Sequence, residues 1–219
     1  MKKNFLKLGT MFCVLIVFTG CGQIQQAKEA LDAAAKAKDV NYRMFESQEE
    51  TKVIFDEIVA KLGSEAKVTD EIKISISRRA HEGSIKKVGE ADELNITIDT
   101  QDPSNPKRIR ETRYWSDNGG WQPSQQMEVN VMGSSSAKES FRLEDELFDF
   151  NEKVNFETFF KVLTDAYAKY KDTEKYEYQY IKSININQRG YDVTIFGKLA
   201  ANEQEKSNYY KANFSGKGK

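Results

Sequence analysis

The sequence has few residues that bind metals or form disulfides. Its 219 residues contain two cysteines, Cys13 and Cys21, and one histidine, His81. Cys13 falls in an N-terminal segment that is predicted below to be removed, so the mature chain has at most one thiol and no internal disulfide. Zinc sites built from several Cys and His ligands are excluded as well. We therefore expect no metal and no cofactor, and we expect His81 to be a surface or turn residue.

A large net charge of either sign is also missing. The formal net charge is −1, and removing residues 1–20, which contain three lysines and no acidic residue, changes it to −4. Domains that bind nucleic acids usually carry a clustered basic face. The mildly acidic mature chain gives no indication of such a face, so we expect no nucleic-acid partner.

Common catalytic motifs are absent from the sequence. It has no Gly-x-Ser-x-Gly element, no glycine-rich phosphate loop and too few histidines for His-Glu-x-x-His. Glycoside hydrolysis needs two carboxylates that face a cleft. Here several acids crowd one segment, 144–149, which is more typical of a solvated edge. These observations favour a protein without catalytic activity.

The N-terminus contains a short apolar run, from Met11 to Phe18, behind Lys2, Lys3 and Lys7. A helix needs about 20 apolar residues to cross a hydrocarbon core of roughly 30 Å, so this run is too short to span a membrane. Basic residues, a short apolar run and then small residues are typical of a secretory signal peptide. We predict that residues 1–20 form one.

The signal peptide ends in Phe18-Thr19-Gly20-Cys21. These residues resemble the lipobox of bacterial lipoproteins, although lipoboxes usually have leucine where this chain has Phe18. The resemblance implies that Cys21 becomes the first mature residue and carries acyl chains such as palmitate. Each buried methylene contributes about 0.8 kcal/mol, so two or three chains anchor a protein stably to a membrane without spanning it. An ordinary signal peptide with a chance cysteine is the alternative.

The residue after Cys21 bears on the membrane that such a lipoprotein would reach. Lipoproteins retained in the inner membrane of enteric bacteria usually have aspartate there, whereas this chain has Gly22. The resemblance therefore implies attachment to the outer membrane, facing the periplasm.

Residues 21–46 are predicted to form the lipidated cysteine and a helical tether. The stretch 23–39 is rich in Ala, Lys, Glu and Gln, which favour helices. One face of this helix carries a narrow apolar stripe, formed by Ile24, Ala27, Leu31 and Ala34. We expect a solvated stalk, with packing against another helix as the alternative.

Residues 47–135 are predicted to form a first α+β unit. Ser47-Gln48-Glu49-Glu50 matches a capping box, and an apolar stripe follows until Gly63, which predicts a helix over 48–62. Alternation of apolar and polar residues then predicts strands with one buried face. The buried positions are Ile72, Ile74, Ile76, Leu94, Ile96 and Ile98. A turn over 102–107, a strand over 108–116, a hairpin turn over 117–120 and a strand over 127–132 complete the unit.

Residues 133–138 are small and polar and mark a boundary, after which residues 141–219 form a second unit. Asn155 is placed to cap a helix whose apolar stripe runs from Phe156 to Tyr170. Three alternating runs predict strands after this helix. They are centred on Tyr178–Ile186, Tyr191–Ile195 and Tyr210–Phe214, with a turn at 188–190 between the first two.

The predicted fold class is α+β: two α-β-β-β(β) units, each an antiparallel meander sheet packed on one helix, preceded by a helical stalk. This order of elements resembles tandem PepSY-like or β-lactamase-inhibitor-like modules. The stretch from Ile96 to Trp121 resembles uncharacterised Bacteroidetes envelope lipoproteins. These resemblances imply a place in the cell envelope and no particular activity.

Two groups of residues are candidate sites. Aromatic rings at a hairpin can stack on sugars or contact a protein partner, and nearby arginines can bind an anionic glycan. This candidate ligand or partner surface comprises Tyr114, Trp115, Trp121, Arg108 and Arg110. A cross-strand aromatic pair that only stabilises the hairpin is the alternative. The acidic segment is a weaker candidate, for calcium, and comprises Glu144, Asp145, Glu146 and Asp149.

The function we predict is a membrane-anchored envelope lipoprotein that acts as a non-enzymatic binding or scaffold module. Its partners would be the membrane, through the acyl chains on Cys21, and an envelope protein or glycan. A carrier of lipids or other hydrophobic ligands is one alternative, suggested by the Phe and Tyr content of residues 141–214. A glycan-processing hydrolase that uses two of the acids is the other.

Overall fold

A computed structural model of the protein describes residues 40–63, 67–78, 91–129 and 134–218. The predicted signal peptide, Cys21, most of the tether and His81 lie outside the described residues. Among the described residues, no helix combines the length and the apolar character that crossing a bilayer requires.

Nine strands and four α-helices make up the described chain, which confirms the α+β class. The helices are α1 (Gln48–Leu62), α2 (Ser135–Ser140), α3 (Phe150–Lys153) and α4 (Phe156–Tyr170), with 3₁₀ turns at Met44–Glu46 and Leu143–Glu146. The strands are β1 (Lys67–Ser77), β2 (Glu93–Asp102), β3 (Asn105–Trp115), β4 (Gly120–Trp121), β5 (Gln125–Glu128), β6 (Phe148–Asp149), β7 (Tyr176–Asn187), β8 (Gly190–Leu199) and β9 (Glu205–Ala212).

Both long helices begin at the predicted caps. The Ser47 hydroxyl accepts a hydrogen bond from the backbone N–H of Glu50, and the Asn155 side chain accepts one from the N–H of Thr158. Gly63, at φ 75°, ends α1 as predicted. Each cap satisfies a backbone donor that lacks a partner inside its helix.

The strands form one antiparallel sheet in the order β4-β3-β2-β1-β7-β8-β9, with β5 beside β3 and β6 beside β1. Strand β1 connects the two halves of the chain. Its Ile74 is paired with Ile96 of β2 on one side and with Ile184 of β7 on the other. The sheet is therefore continuous across the boundary predicted between the two units.

The two-unit arrangement is not confirmed, although the order of elements in each half is as predicted. Helix α1 precedes the meander β1-β2-β3, and α4 precedes the meander β7-β8-β9. However, the buried apolar residues of both halves belong to one cluster. Phe55 of α1 contacts Phe159 of α4, and Phe159 contacts Tyr191 of β8, at ring-centroid distances of 5.4 and 6.2 Å.

The alternating strands bury the predicted face. Ile72, Ile74 and Ile76 of β1 are fully buried, and so are Leu94, Ile96 and Ile98 of β2, while the residues between them are at least partly exposed. One face of the sheet is thus covered by the core, and the alternation places the polar side chains on the other face.

The turn between β2 and β3 is shorter than predicted. Strand β2 continues to Asp102 and β3 starts at Asn105, and these two residues are paired. The side chain of Asp102 accepts a hydrogen bond of 2.8 Å from the backbone N–H of Ser104, two residues later. This local Asx turn closes the chain over two residues, which leaves more of the segment for the strands.

Two other predicted strands also differ in detail. The strand predicted over 127–132 is observed as Gln125–Glu128, and residues 130–133 lie outside the described part. In β7, the tyrosines at 176, 178 and 180 are buried. One register shift lies between Tyr176 and Tyr178 and a second between Ile181 and Ser183, so the alternation predicted along this strand is interrupted.

Candidate functional site

Strand β3 divides the predicted aromatic and basic surface between two faces of the sheet. Neighbouring side chains in a strand point to opposite faces. Tyr114, which is buried, shares its parity with Arg110 and Arg108, whereas Trp115 has the opposite parity. The structure therefore does not bring Trp115 together with the other predicted residues.

Tyr114 and Trp121 form a cross-strand pair. They lie opposite each other in the β3–β4 register, with ring centroids 5.3 Å apart and planes inclined by 69°. Tyr114 is only 7% exposed, and its pKa is raised, first by burial and then by the charge of Glu57. The ammonium group of Lys61 lies 5.5 Å from the Trp121 ring centroid. These contacts correspond to an aromatic pair that stabilises the hairpin.

Arg110 lines a cleft near the end of α1, which we call the β2–β3 cleft. Its volume is about 480 Å³, a size typical of small-ligand sites. Polar and basic side chains line it together with Leu62, Ile98 and Pro103. The polar and basic lining residues are Lys61, Lys67, Thr100, Gln101, Arg110, Thr112 and Ser124. The cleft thus combines three cationic side chains with hydroxyl groups and an apolar wall.

A buried carboxylate holds Arg110 in place. The Arg110 guanidinium donates to Oδ1 of Asp102 over 3.3 Å, and the side chain of Arg110 remains 40% exposed. Asp102, whose side chain is 2% exposed, also accepts hydrogen bonds from Ser104 and from the Gln126 amide, the latter at 2.6 Å. This arrangement fixes one edge of the guanidinium and leaves other donors directed towards solvent.

The same hydrogen bonds keep Asp102 ionised. The hydroxyl and the backbone N–H of Ser104, with smaller contributions from Gln126 and Arg110, lower the pKa of Asp102 from 3.8 to about 2. Burial acts in the opposite direction but is outweighed. Asp102 is thus an anion throughout the neutral range and keeps a charge-assisted bond to Arg110.

The other cations of the cleft come from elements outside the β2–β3 hairpin. Lys61 belongs to the last turn of α1, and Lys67 begins β1, where its ammonium group lies 3.4 Å from a carboxylate oxygen of Asp149. Thr112 and Ser124 share a hydrogen bond of 2.7 Å across the cleft wall. Because Lys61 and Lys67 are exposed, they are accessible to a ligand in the cleft.

Arg108 is engaged elsewhere and does not line the cleft. Its guanidinium donates to Gln126 over 2.7 Å and to Glu128 over 3.2 Å, both on the neighbouring strand β5. The structure thus assigns different surroundings to the two arginines that the sequence grouped together.

The acidic segment does not converge on a point. Glu144, Asp145 and Glu146 are exposed on the 3₁₀ turn, while Asp149 caps α3 by accepting from the N–H of Glu152 over 3.1 Å. The pKa of Asp149 is lowered, first by that hydrogen bond. No group of three or more His, Cys, Asp or Glu side chains in the described part of the chain is arranged to hold a metal ion.

Three charged residues that line or support the cleft were not predicted as site residues from the sequence: Asp102, Lys61 and Lys67. Asp102 had a local signal, since Asp-Pro-Ser in a turn indicates an Asx turn. Lys61 and Lys67 had none, because they reach the cleft only through the packing of α1 and β1 against β2.

Comparisons with protein families and with curated proteins gave no match. Among solved structures, the chain is similar to a crystal structure named "putative lipoprotein" from Clostridium difficile 630. The identity is 8%, the TM-score is 0.37, and the match covers 77% of this chain and 99% of the other. At this TM-score, the similarity carries no argument about the present protein.

Proposed function

We propose that this protein is a lipid-anchored lipoprotein of the bacterial envelope and that its β2–β3 cleft binds an anionic glycan without turnover. The anchor is supported by the sequence from Lys2 to Cys21. The observation that carries the binding role is the lining of the cleft by Lys61, Lys67 and Arg110. The outer membrane and the periplasm are the proposed location, from Gly22.

The chemistry of the cleft fits a carboxylated or sulfated sugar. Guanidinium and ammonium groups bind such anions through charge-assisted hydrogen bonds. The hydroxyls of Thr112 and Ser124 can exchange hydrogen bonds with sugar hydroxyls, and Leu62, which is partly exposed, offers apolar contact to a sugar ring. Asp102 acts as a positioning residue, since its buried carboxylate holds the guanidinium of Arg110 through an ion pair.

The anchor is tested by metabolic labelling with an alkyne-bearing fatty acid. The wild-type chain should be labelled, and Cys21→Ser should lose the label because the thiol at the end of the lipobox is gone. Cys13→Ser is the matched control and should keep the label, since Cys13 lies in the segment to be removed. Labelling of Cys21→Ser, or none of the wild type, would refute the anchor.

The cleft is tested by titrating the full chain carrying Cys21→Ser with an oligomer of galacturonic acid. Arg110→Ala and Lys61→Ala should each weaken binding about tenfold, which corresponds to about 1.4 kcal/mol. Lys61→Ala leaves the Asp102–Arg110 pair intact, so it separates ligand contact from local disruption. Binding should also weaken with added salt.

Arg113→Ala is the matched control for the cleft. Arg113 is an exposed arginine on the same strand, but its parity places it on the opposite face, where it pairs with Glu111 at 2.9 Å. Its substitution should leave binding unchanged. Equal losses for Arg110→Ala and Arg113→Ala, or equal binding of a neutral galactose oligomer, would contradict a specific anion site.

A further inference from the structure

A second concave surface lies along α1 and differs in chemistry from the β2–β3 cleft. This α1 groove has a volume of about 670 Å³. Apolar side chains line it, namely Val40, Met44, Val53, Ile54 and Tyr114. Its other lining residues in the described chain are Ser47 and three acids, Glu49, Glu50 and Glu57. The groove is therefore apolar with an acidic rim.

Val53 shows that this surface is incompletely covered. The sequence places Val53 on the apolar stripe of α1, together with Ile54 and Ile58, both of which are buried. In the structure Val53 is 52% exposed. The other apolar residues that line the groove are at most 8% exposed, so Val53 is the apolar side chain that a partner in the groove would cover.

The N-terminal part of the chain joins the domain at this groove. Val40 is the first described residue, it is 8% exposed, and it lines the groove itself. Two hydrogen bonds fix the chain there: the N–H of Asp92 donates to the Val40 carbonyl over 3.2 Å, and the N–H of Tyr42 donates to Asp92 over 2.7 Å. The residues before Val40 therefore start from the wall of the groove.

The preceding segment, residues 23–39, matches the groove in length. Its 17 residues would form a helix about 25 Å long, close to the length of about 22 Å for the 15 residues of α1. Two of the four residues of the predicted apolar stripe, Ala27 and Ala34, are alanines. Small side chains let two helices approach closely, as a shallow groove requires.

The charges of this segment also suit the groove. At 100° per residue, Lys38 falls on the centre of the apolar stripe and Lys28 about 80° from it, whereas Glu29 lies on the opposite side of the helix. The other charged residues lie farther from the stripe than Lys28: Asp39, Asp32 and Lys36. Docking by the stripe would therefore bring the two lysines towards the acidic rim and keep Glu29 away from it.

We propose that residues 23–39 pack as a helix in the α1 groove. The segment is then not a solvated stalk, and the domain sits close to the point of anchorage instead of about 25 Å from it. The position of the β2–β3 cleft relative to the membrane becomes fixed as well. The packing itself does not depend on glycan binding or on acylation of Cys21.

Disulfide trapping in the full chain tests this packing. Cys13 and Cys21 are replaced by Ser to remove the native thiols, and cysteine is introduced at Val53 together with Ala27→Cys, Leu31→Cys or Ala34→Cys. Under mild oxidation, at least one pair should form an intramolecular disulfide roughly tenfold faster than its control, because packing raises the local thiol concentration. Intact mass and gel mobility measure the product.

The matched control replaces Lys52 instead of Val53. Lys52 is the neighbouring residue on α1, its side chain is 53% exposed, and it pairs with Asp56 at 2.7 Å away from the groove. A tether free in solution would reach positions 52 and 53 at similar rates. If each of the three tether cysteines forms a disulfide with position 52 as fast as with position 53, the proposal is overturned. This outcome is independent of labelling at Cys21 and of glycan binding, either of which can still be observed.

Discussion

Asp102 illustrates how a buried carboxylate can position an exposed cation for binding. Its side chain accepts bonds from Ser104, Gln126 and Arg110, so Arg110 is held without being enclosed. The sequence indicated Arg110 as a ligand contact and Asp102 only as part of a turn. The link between them depends on the β2–β3 register, in which Arg110 lies opposite Thr100, and no local pattern specifies it.

Asp102 should also make stability depend on pH. Its pKa is about 2 in the folded protein and 3.8 as the ordinary value. Because the folded pKa is lowered, the carboxylate stabilises the fold above pH 3.8, and this contribution is lost as the pH falls towards 2. We expect Asp102→Asn to be less stable than wild type at pH 7, since an amide cannot accept the same set of hydrogen bonds.

Urea unfolding at pH 7, 5, 3 and 2.5 measures this effect. The difference in unfolding free energy between wild type and Asp102→Asn should be constant from pH 7 to 5 and should narrow at pH 3 and 2.5. If the difference in unfolding free energy between the two proteins stays the same at all four pH values, Asp102 has no lowered pKa in the folded protein.

At the scale of elements, the sequence predicts best what local interactions determine. The bounds of α1 agree with the prediction, because Ser47 and Gly63 are end signals that act within one helical turn. The buried faces of β1 and β2 also agree, since alternation is a property of each strand alone. The register shifts in β7 depend on β8, and neither shift has a signal within β7.

The β7–β8 hairpin should depend on Gly190 for two separate reasons. Its φ of 123° lies in the region that favours glycine, and a Cβ atom would collide with the backbone of Ala212 and Asn213 on β9 and just beyond it. We expect Gly190→Ala to destabilise the protein by clearly more than the roughly 1–2 kcal/mol of a left-handed alanine.

Gly119 provides the matched control for that substitution. It has a φ of 78°, and a Cβ atom there would have no neighbour within 4 Å. Gly119→Ala should therefore lose only the free energy that an alanine costs at a positive φ. Urea unfolding of both variants measures how much more Gly190→Ala loses through the steric clash. Equal losses of unfolding free energy would mean that the hairpin adjusts to accommodate the methyl group.

At the scale of the whole molecule, the pairing of β1 with β7 is the feature that the sequence could not reveal. It joins Ile74 to Ile184, and the alternation around both residues would be the same at an edge of a sheet as at its centre. The approach of Lys61 and Lys67 to Arg110 could not be predicted from the sequence either. Both arrangements arise from contacts between distant segments.

A continuous sheet with one core predicts that the described domain unfolds as a single cooperative unit. Ile195 on β8 is fully buried in the second half, whereas both tryptophans, Trp115 and Trp121, lie in the first half. Ile195→Ala should cost about 2–5 kcal/mol, as buried large-to-small substitutions do. In a continuous fold, the fluorescence of the two tryptophans in the first half must report the same loss of unfolding free energy.

Urea unfolding followed by tryptophan fluorescence and by far-UV circular dichroism tests this coupling. Both signals of Ile195→Ala should move to lower urea by the same amount and remain coincident, because β1 and β7 transmit the loss across the sheet. Thr194→Ala changes the neighbouring, partly exposed position and is the control. Its unfolding free energy, from either signal, should differ from that of wild type by no more than about 0.5 kcal/mol. A tryptophan transition that stays at the wild-type urea concentration while the dichroism signal splits in two would instead establish two independent units, despite the pairing of Ile74 with Ile184.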